Sequence, residues 1–158
     1  MTLQTKRQLD AIGWQLLRLF QENARLPFRQ IGEAIGLTAP AVAERVRRLE
    51  EAGILTGYRA QIEFGKVGLP ITAFVHMASN SQQSTHFRKA VVNIPEVIEC
   101  HCVTGNESYI LKVAVTSVQH LEDLLMRLGN FGDVRTSVVL SSQVTGRVIN
   151  ESMVNGRE

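Results

Sequence analysis

Apolar residues recur along this chain with two different periods, and the change between them falls near residue 54. From Leu9 to Phe20 they recur every three or four positions, which is typical of one buried face of a helix. Two shorter segments share that period: Pro27–Ile35, which ends at Gly36, and Thr38–Ala52, which ends at Gly53. Thr suits a helix N-cap, and Gly suits the position after a helix. The pattern predicts a bundle of three short helices at the N-terminus.

The second half of the chain predicts an antiparallel sheet with two helices. Residues 54–64, which mix β-branched and aromatic side chains, are interpreted as a strand leading into a connector that contains Gly65, Gly68 and Pro70. Four further strands and two helices are expected beyond it: strands over Ile71–Ser79, Val97–Thr104, Tyr109–Thr116 and Val134–Ser142, and helices over Gln83–Asn93 and Ser117–Leu128. Their order, βαββαβ, is that of a ferredoxin-like sandwich.

The predicted fold class is therefore α+β, with an N-terminal helix-turn-helix and a C-terminal ferredoxin-like sandwich. The predicted domains are 1–57 for the helices, 58–70 for a connecting strand and linker, 71–148 for the sandwich, and 149–158 for a tail. Helices of a βαββαβ unit cover only one face of its sheet. Because the first and last strands are apolar on both sides, we expect the open face to pack against another subunit.

Composition excludes several classes of protein. The chain has 158 residues, of which 44% are hydrophobic and 20% charged, which excludes disorder and a collagen-like repeat. Two cysteines cannot define a disulfide framework. The chain shows no secretory signal and no apolar run of the ~20 residues that span a bilayer. We expect a cytoplasmic, nucleoid-associated protein.

Charge is distributed unevenly. Residues 1–60 hold nine Lys and Arg against six acids, whereas residues 61–158 hold eight against nine. The overall charge of +2 therefore combines a basic front with a mildly acidic back. Such a basic segment is consistent with a nucleic-acid partner.

The second and third predicted helices are joined by a turn of about four residues that contains Gly36, as in a helix-turn-helix. The third helix opens with the small residues Thr38-Ala39-Pro40-Ala41 and continues with Glu44-Arg45-Val46-Arg47-Arg48. Small residues let a helix enter the major groove closely, and cations behind them can meet phosphates. The alternative is that the basic run is only a solvated helix face.

The candidate contacts follow from that geometry. We expect Thr38, Ala41 and Glu44 to lie nearest the base edges. Successive residues of a helix turn by about 100°, so the three arginines cannot all face DNA. Arg45 and Arg48, three apart on one face, are favoured over Arg47. Three residues around the start of the second helix could anchor phosphate, and these are Arg25, Phe28 and Arg29.

The segments Ala43–Glu50 and Ala52–Tyr58 resemble the recognition helix and its exit in the Lrp/AsnC (leucine-responsive, feast/famine) transcriptional regulators. Leu9-Asp10 and Ile98–His101, followed by Thr104-Gly105, match the same family. The resemblance implies a winged helix-turn-helix that binds double-stranded DNA, and a βαββαβ regulatory domain. It also implies dimers formed through the sheets, commonly assembled into octamers, and an amino acid or related metabolite as effector.

The family's effector loop commonly reads Gly-Asp-x-Asp-Tyr, whose acidic groups help accept an ammonium. The aligned residues here are Gly105-Asn106-Glu107-Ser108-Tyr109, so both usual acidic positions are neutral. The candidate effector-binding residues are Thr104, Gly105, Asn106, Glu107, Ser108 and Tyr109. An ammonium needs a close acceptor, preferably a charged one. Three alternatives stay open: Glu107 swings in, the effector differs, or the pocket is empty.

No metal, cofactor or catalytic group is predicted. In a strand the sulfurs of Cys100 and Cys102 share one face while His101 takes the other, so all three cannot converge on one zinc ion. The histidines fall on separate elements and form no catalytic grouping. Two functions besides a sequence-specific regulator remain open: a small-molecule-sensing subunit of an enzyme that does not bind DNA, and a DNA-organising protein with little sequence preference.

Overall fold

The structure is a computed structural model that describes residues 9–155 of the chain. Internal contacts divide the chain into two compact units. The N-terminal unit comprises the chain up to Ala60 and again from Val144 onward, and the sheet unit comprises Gln61–Gln143. In this division residues 144–148, which are predicted to belong to the sheet domain, fall in the N-terminal unit, and the predicted linker 58–70 is divided between the units.

The N-terminal unit contains the three predicted helices, α1 (Ala11–Glu22), α2 (Phe28–Ile35) and α3 (Ala39–Glu51). One face of each helix contributes to a single apolar core. Its buried members are Leu16, Phe20, Ile31, Val42, Val46 and Leu49. The predicted capping residues lie at the helix ends: Thr38 caps α3, Gly36 adopts φ 72° after α2, and Gly53 adopts φ 66° after α3.

The strand predicted over residues 54–64 is absent from the structure. Residues 56–63 have no regular hydrogen-bonding pattern, and Phe64–Val67 form a 3₁₀ helix. Within residues 9–155, the N-terminal unit contains no strand, so no β-wing follows α3. A strand requires a neighbour that exchanges backbone hydrogen bonds with it, and β-favouring side chains alone do not supply one.

The sheet unit has the predicted βαββαβ order. It contains β1 (Ile71–Ala78), α4 (Ser81–Ala90), β2 (Val97–Cys102), β3 (Tyr109–Val115), α5 (Val118–Gly129) and β4 (Asp133–Val138). A 3₁₀ turn, Val91–Asn93, extends α4. The strands form one antiparallel sheet in the order β2-β3-β1-β4. The ferredoxin-like prediction is confirmed.

Side chains of β1 alternate strictly between the two faces of the sheet. Ala73, Val75 and Met77 are fully buried in the core with Phe87 of α4 and Leu124 of α5. The outward positions are partly exposed and include Phe74 and His76. The sequence prediction that β1 is apolar on both sides is therefore correct only in part.

The outward face of the sheet mixes apolar and charged residues. Phe74 is 39% exposed and stands opposite Lys112 of β3 in the register. Lys112 donates to Glu99 of β2 at 3.3 Å. β4 ends at Val138, four residues before the predicted end, and Leu140 beyond it is 95% exposed. Val139 still donates to the carbonyl of Thr72 at 2.9 Å, but β1 begins at Ile71, so the residues after Val139 extend past the start of that strand.

The tail beyond residue 144 is mostly exposed and ends in a short helix, α6 (Ser152–Asn155). Ile149 lies beside α1, where the side-chain amide of Gln21 donates to its carbonyl at 3.0 Å and accepts from its N–H at 2.8 Å. The amide of one side chain thus pairs with both backbone polar groups of one residue. These contacts explain why the tail belongs to the N-terminal unit.

Candidate functional site

A tight turn sets the position of α3 against α2. The N–H of Leu37 donates to the carbonyl of Gly32 at 2.9 Å, and Gly36 supplies the left-handed backbone that the turn needs. Gly32 is buried, and a Cβ placed on it would lie 2.3 Å from the carbonyl oxygen of Leu37. A side chain at this position would separate the turn from α2. Gly32 therefore maintains the close helix-turn-helix packing.

The outward surface of α3 is defined by what the helix buries. Val42, Val46 and Leu49 point into the core. With about 100° between successive residues, the opposite side carries Pro40, Glu44, Arg47, Arg48 and Glu51. The start of the helix, from Thr38 to Ala41, consists of small residues that are exposed or half-buried. This surface has the dimensions and the chemistry of a recognition helix.

The charged residues on this surface are paired with one another. Glu44 accepts from Arg47 at 2.8 and 3.0 Å and from Arg48 at 2.8 Å, and Arg47 also pairs with Glu51. Hydrogen bonds from the two guanidinium groups lower the pKa of Glu44 to about 2, and the same contacts raise the pKa of Arg47. All these groups are exposed, so such pairs exchange readily for contacts with a ligand.

Arg45 lies on a different side of the helix. Its Nη1 and Nη2 atoms donate to the two carboxylate oxygens of Asp10 at 2.9 and 3.0 Å. Asp10 also caps α1, because its carboxylate accepts from the N–H of Gly13 at 2.8 Å. Arg45 is predicted above as a phosphate contact in preference to Arg47. In the structure Arg45 pairs with Asp10 at the start of α1, whereas Arg47 lies on the outward surface of α3.

Asp10 has a structural role that the sequence prediction did not include. An Asp directly before an apolar-periodic run is a recognised N-cap signal, and that signal was available here. The sequence carries no signal for the pairing of Asp10 with Arg45, which lies 35 residues away.

The start of α2 presents a second cluster of predicted DNA contacts. Arg29 donates to Glu33 at 2.9 Å, one turn along the helix. Phe28 is 39% exposed and packs edge-on against Phe20, with 6.5 Å between ring centroids. Within residues 9–155, the guanidinium of Arg25 forms no hydrogen bond or ion pair, so it is available to an anion.

The predicted effector loop lies between β2 and β3, and Ser108 is built into its framework. The Ser108 hydroxyl donates to the carbonyl of Ser79 at 3.1 Å and accepts from the Ser79 N–H at 3.1 Å. The Ser79 hydroxyl in turn donates to the carbonyl of Phe131 at 2.7 Å. Ser108 therefore joins the loop to the end of β1, and its hydroxyl is already occupied.

The remaining loop residues differ in whether a ligand could reach their side chains. Gly105 has φ 117°, a conformation that favours glycine. The carboxylate of Glu107 lies 3.6 Å from Arg135 of β4, and both side chains reach solvent. Tyr109 is buried in the core, where its hydroxyl accepts from Arg88 at 2.8 Å. Glu107 is thus the acidic group of the loop that a ligand could reach, whereas Tyr109 supports the loop from below.

The described residues contain neither a cluster of metal ligands nor a membrane-spanning helix. Between residues 9 and 155, no group of three His, Cys, Asp or Glu side chains is placed to hold a metal ion. In the same part of the chain, no helix is both long and apolar enough to cross a membrane.

The fold and the surface of α3 define a helix-turn-helix protein of the DNA-binding class, joined to a ferredoxin-like sheet unit. Two family models match the chain: the AsnC-type helix-turn-helix domain over residues 9–50 and the Lrp/AsnC ligand-binding domain over residues 72–149. The chain belongs to the Lrp/AsnC family of transcriptional regulators, and it is a regulator rather than an enzyme.

Individual relatives agree with the family models. The uncharacterized HTH-type transcriptional regulator YezC of Bacillus subtilis is 40% identical over 134 residues, which cover 85% of this chain and 95% of YezC. Two solved structures are L-methionine complexes. The feast or famine regulatory protein from M. tuberculosis is 35% identical, with a TM-score of 0.81 over 88% of this chain and 97% of its own. The transcriptional regulator from Neisseria meningitidis is 26% identical, with a TM-score of 0.85 over 92% and 99%.

Proposed function

We propose that this regulator reads double-stranded DNA with α3 in the major groove, at nucleoid DNA in the cytoplasm. The observation that carries the proposal is the outward surface of α3, which begins with small residues and continues with a paired cluster of two arginines and two acids. The small residues that open α3 can approach base edges closely, and these are Thr38, Ala39, Pro40 and Ala41. Thr38 can form a hydrogen bond there, and Ala41 can contact a thymine methyl group.

The charged residues divide between bases and phosphates in this proposal. Arg47 and Arg48 exchange Glu44 for phosphate oxygens when DNA arrives, which releases the carboxylate of Glu44 to accept from a cytosine amino group. Arg25, Phe28 and Arg29 contact the backbone from the start of α2, where the helix N–H groups also favour an anion. Arg45 acts as a positioning residue through Asp10.

We further propose that the protein is a dimer formed through the outward face of the sheet. Phe74 at 39% exposure and Ile98 at 39% are large apolar side chains on or next to that face. A twofold dimer presents two copies of α3 and reads a pseudo-palindrome with half-sites about one helical turn apart. Assembly of dimers into octamers is the arrangement that the family resemblance implies.

We propose an amino acid as the effector, bound at the loop Thr104–Tyr109. Two relatives of known structure are L-methionine complexes, which supports this class of ligand. Glu107 is the acceptor that an ammonium would use, in exchange for Arg135. Asn106 supplies a neutral side chain beside it, and Ser108 keeps its contacts with Ser79.

The test of DNA binding is fluorescence anisotropy of promoter and random duplexes over a series of salt concentrations. Binding should weaken steeply with salt, because cations of the protein replace counterions of the DNA. Arg48→Ala should weaken binding to both duplexes and reduce the salt slope by about one, whereas Thr38→Ala should mainly reduce discrimination between them. Lys89→Ala, at an exposed cation of the sheet unit, is the matched control.

Each outcome of this titration distinguishes the alternatives. Absence of binding at low salt would favour a sensing subunit without DNA, and equal affinity for both duplexes would favour a DNA-organising protein. The series is then repeated with L-methionine. A change in affinity that Glu107→Gln removes supports the effector site; an unchanged affinity in the wild-type protein contradicts it.

A further inference from the structure

The N-terminal unit contains an open cavity of about 470 Å³ that neither the proposed DNA surface nor the effector loop uses. One wall is formed by α1, through Trp14, Leu17 and Phe20. The other wall is the irregular segment after α3, which includes Ile54 and Leu55. A cavity of this size, with apolar walls, is typical of sites for small organic molecules.

The charged group at the rim of this cavity is a cation. Arg59 lines the cavity and is exposed, and within residues 9–155 its guanidinium forms no hydrogen bond or ion pair. Among the described lining residues none is Asp or Glu. The nearby hydroxyl of Tyr58 already donates to Glu50 at 2.9 Å. Among the described residues, the cavity therefore offers apolar contact and the positive charge of Arg59, but no carboxylate for a cationic ligand.

The tail closes one side of the same cavity. Ile149 lines it and is 57% exposed. Its position rests on the two hydrogen bonds that its backbone N–H and carbonyl form with the side-chain amide of Gln21. Exposed hydrogen bonds contribute little net stability, so a ligand can displace or adjust this edge without disrupting the helices.

We propose that the cavity binds a small organic carboxylate with an aromatic or branched apolar body and no amino group. The apolar body would contact Trp14, Leu17 and Phe20, and its carboxylate would form a charge-assisted pair with Arg59. An amino acid is disfavoured, because its ammonium would lose water without gaining a charged acceptor. The site is separate from the loop Thr104–Tyr109 and takes a different class of ligand.

The tryptophan of the cavity provides a direct measurement, because Trp14 is the single tryptophan of the chain. The full-length protein is titrated with 3-phenylpropanoate while Trp14 emission is recorded. We expect a saturable change in emission. Two probes of similar shape test the recognition: 3-phenylpropan-1-ol lacks the carboxylate, and L-phenylalanine adds the ammonium. Both should bind about tenfold more weakly or worse, which corresponds to about 1.4 kcal/mol.

Variants locate the carboxylate contact. Arg59→Gln should weaken 3-phenylpropanoate about tenfold or more while leaving the weak binding of the alcohol unchanged. Arg18→Gln, at an exposed arginine of α1 that does not line the cavity, is the matched control and should bind normally. If Trp14 emission does not respond to 3-phenylpropanoate, the site is overturned. If the acid and the alcohol bind equally, or if Arg59→Gln binds the acid as tightly as the wild type does, the assignment of the ligand as an anion is overturned. Equal binding of L-phenylalanine would contradict the exclusion of an amino group. None of these readouts involves DNA, so they stand or fall separately from the proposed function.

Discussion

At the scale of single residues, Asp10 shows how one side chain can perform two structural tasks. Its carboxylate accepts from the N–H of Gly13, which caps α1, and from both terminal nitrogens of Arg45, which holds α3. Burial raises the pKa of Asp10, but the hydrogen bonds from Arg45 and Gly13 outweigh that effect and hold the pKa below its ordinary value. The charge of Arg45 is thereby paired within the N-terminal unit.

Asp10→Ala should lower the free energy of unfolding of the N-terminal unit by about 1 to 2 kcal/mol, because it removes the cap and the partner of Arg45. Asp10→Asn should cost less, since Asn is also a good N-cap. Unfolding in urea, followed by Trp14 emission, measures both. The two variants unfolding identically would show that the cap itself contributes nothing.

The same carboxylate predicts a dependence on pH. A group whose pKa is lowered by folding stabilises the protein above its unfolded pKa, and that contribution is lost as the pH falls through the folded pKa. Stability of the wild type should therefore fall more steeply below about pH 4 than that of Asp10→Asn. Parallel curves for the two proteins would contradict the ion pair with Arg45.

At the scale of elements, the helix-turn-helix depends on a contact between a turn and the middle of a helix. Glycine inside a helix is normally unfavourable by about 1 kcal/mol. Gly32 is nevertheless placed there, because the carbonyl of Leu37 occupies the space that a side chain would need. The gain from close packing of α2, the turn and α3 offsets the lower helix propensity.

Gly32→Ala should destabilise the N-terminal unit by about 2 kcal/mol or more, because its Cβ would displace the turn. The matched control is Gly129→Ala at the end of α5, where a Cβ meets nothing within 4 Å. Helix propensity alone acts there, so stability should rise by up to about 0.5 kcal/mol. Thermal unfolding of both variants tests the contrast; a neutral Gly32→Ala would mean that the turn can shift without loss.

At the scale of the whole molecule, the chain builds two cores that share no buried residue. The N-terminal core belongs to three helices, and the second belongs to the sheet and its two helices. The helices cover one face of the sheet, and Phe74 on the other face and Ile98 at the bulge of β2 are each 39% exposed. A second subunit is the cover that we propose for this face.

Phe74→Asp should weaken that assembly, because it removes a large apolar side chain from the contact and puts there a carboxylate that must lose water on association. Sedimentation equilibrium should show the dimer dissociating at a protein concentration at least about tenfold higher than for the wild type. Val92→Asp is the control, since Val92 is 79% exposed on the 3₁₀ turn after α4. Identical association of all three proteins would exclude the sheet face as the interface.

Most of the elements could be predicted from local sequence, because their signals act over a few residues. The three helices, the βαββαβ order and the Thr38 cap all follow from periodicity, glycine and capping residues. The segment 54–64 could not, since its β-favouring side chains find no strand to pair with. The end of β4 was placed four residues too late for the same reason.

The candidate site divides in the same way. The small residues that open α3, the arginines behind them, and the neutral side chains at Asn106 and Ser108 are all evident in the sequence. The contacts of Arg45 with Asp10 and of Ser108 with Ser79, and the return of the tail to α1, are evident only once the chain has folded. Each of these contacts joins residues far apart in the chain. Periodicity reports which face of an element is apolar, but which distant side chains meet on that face depends on how the elements pack.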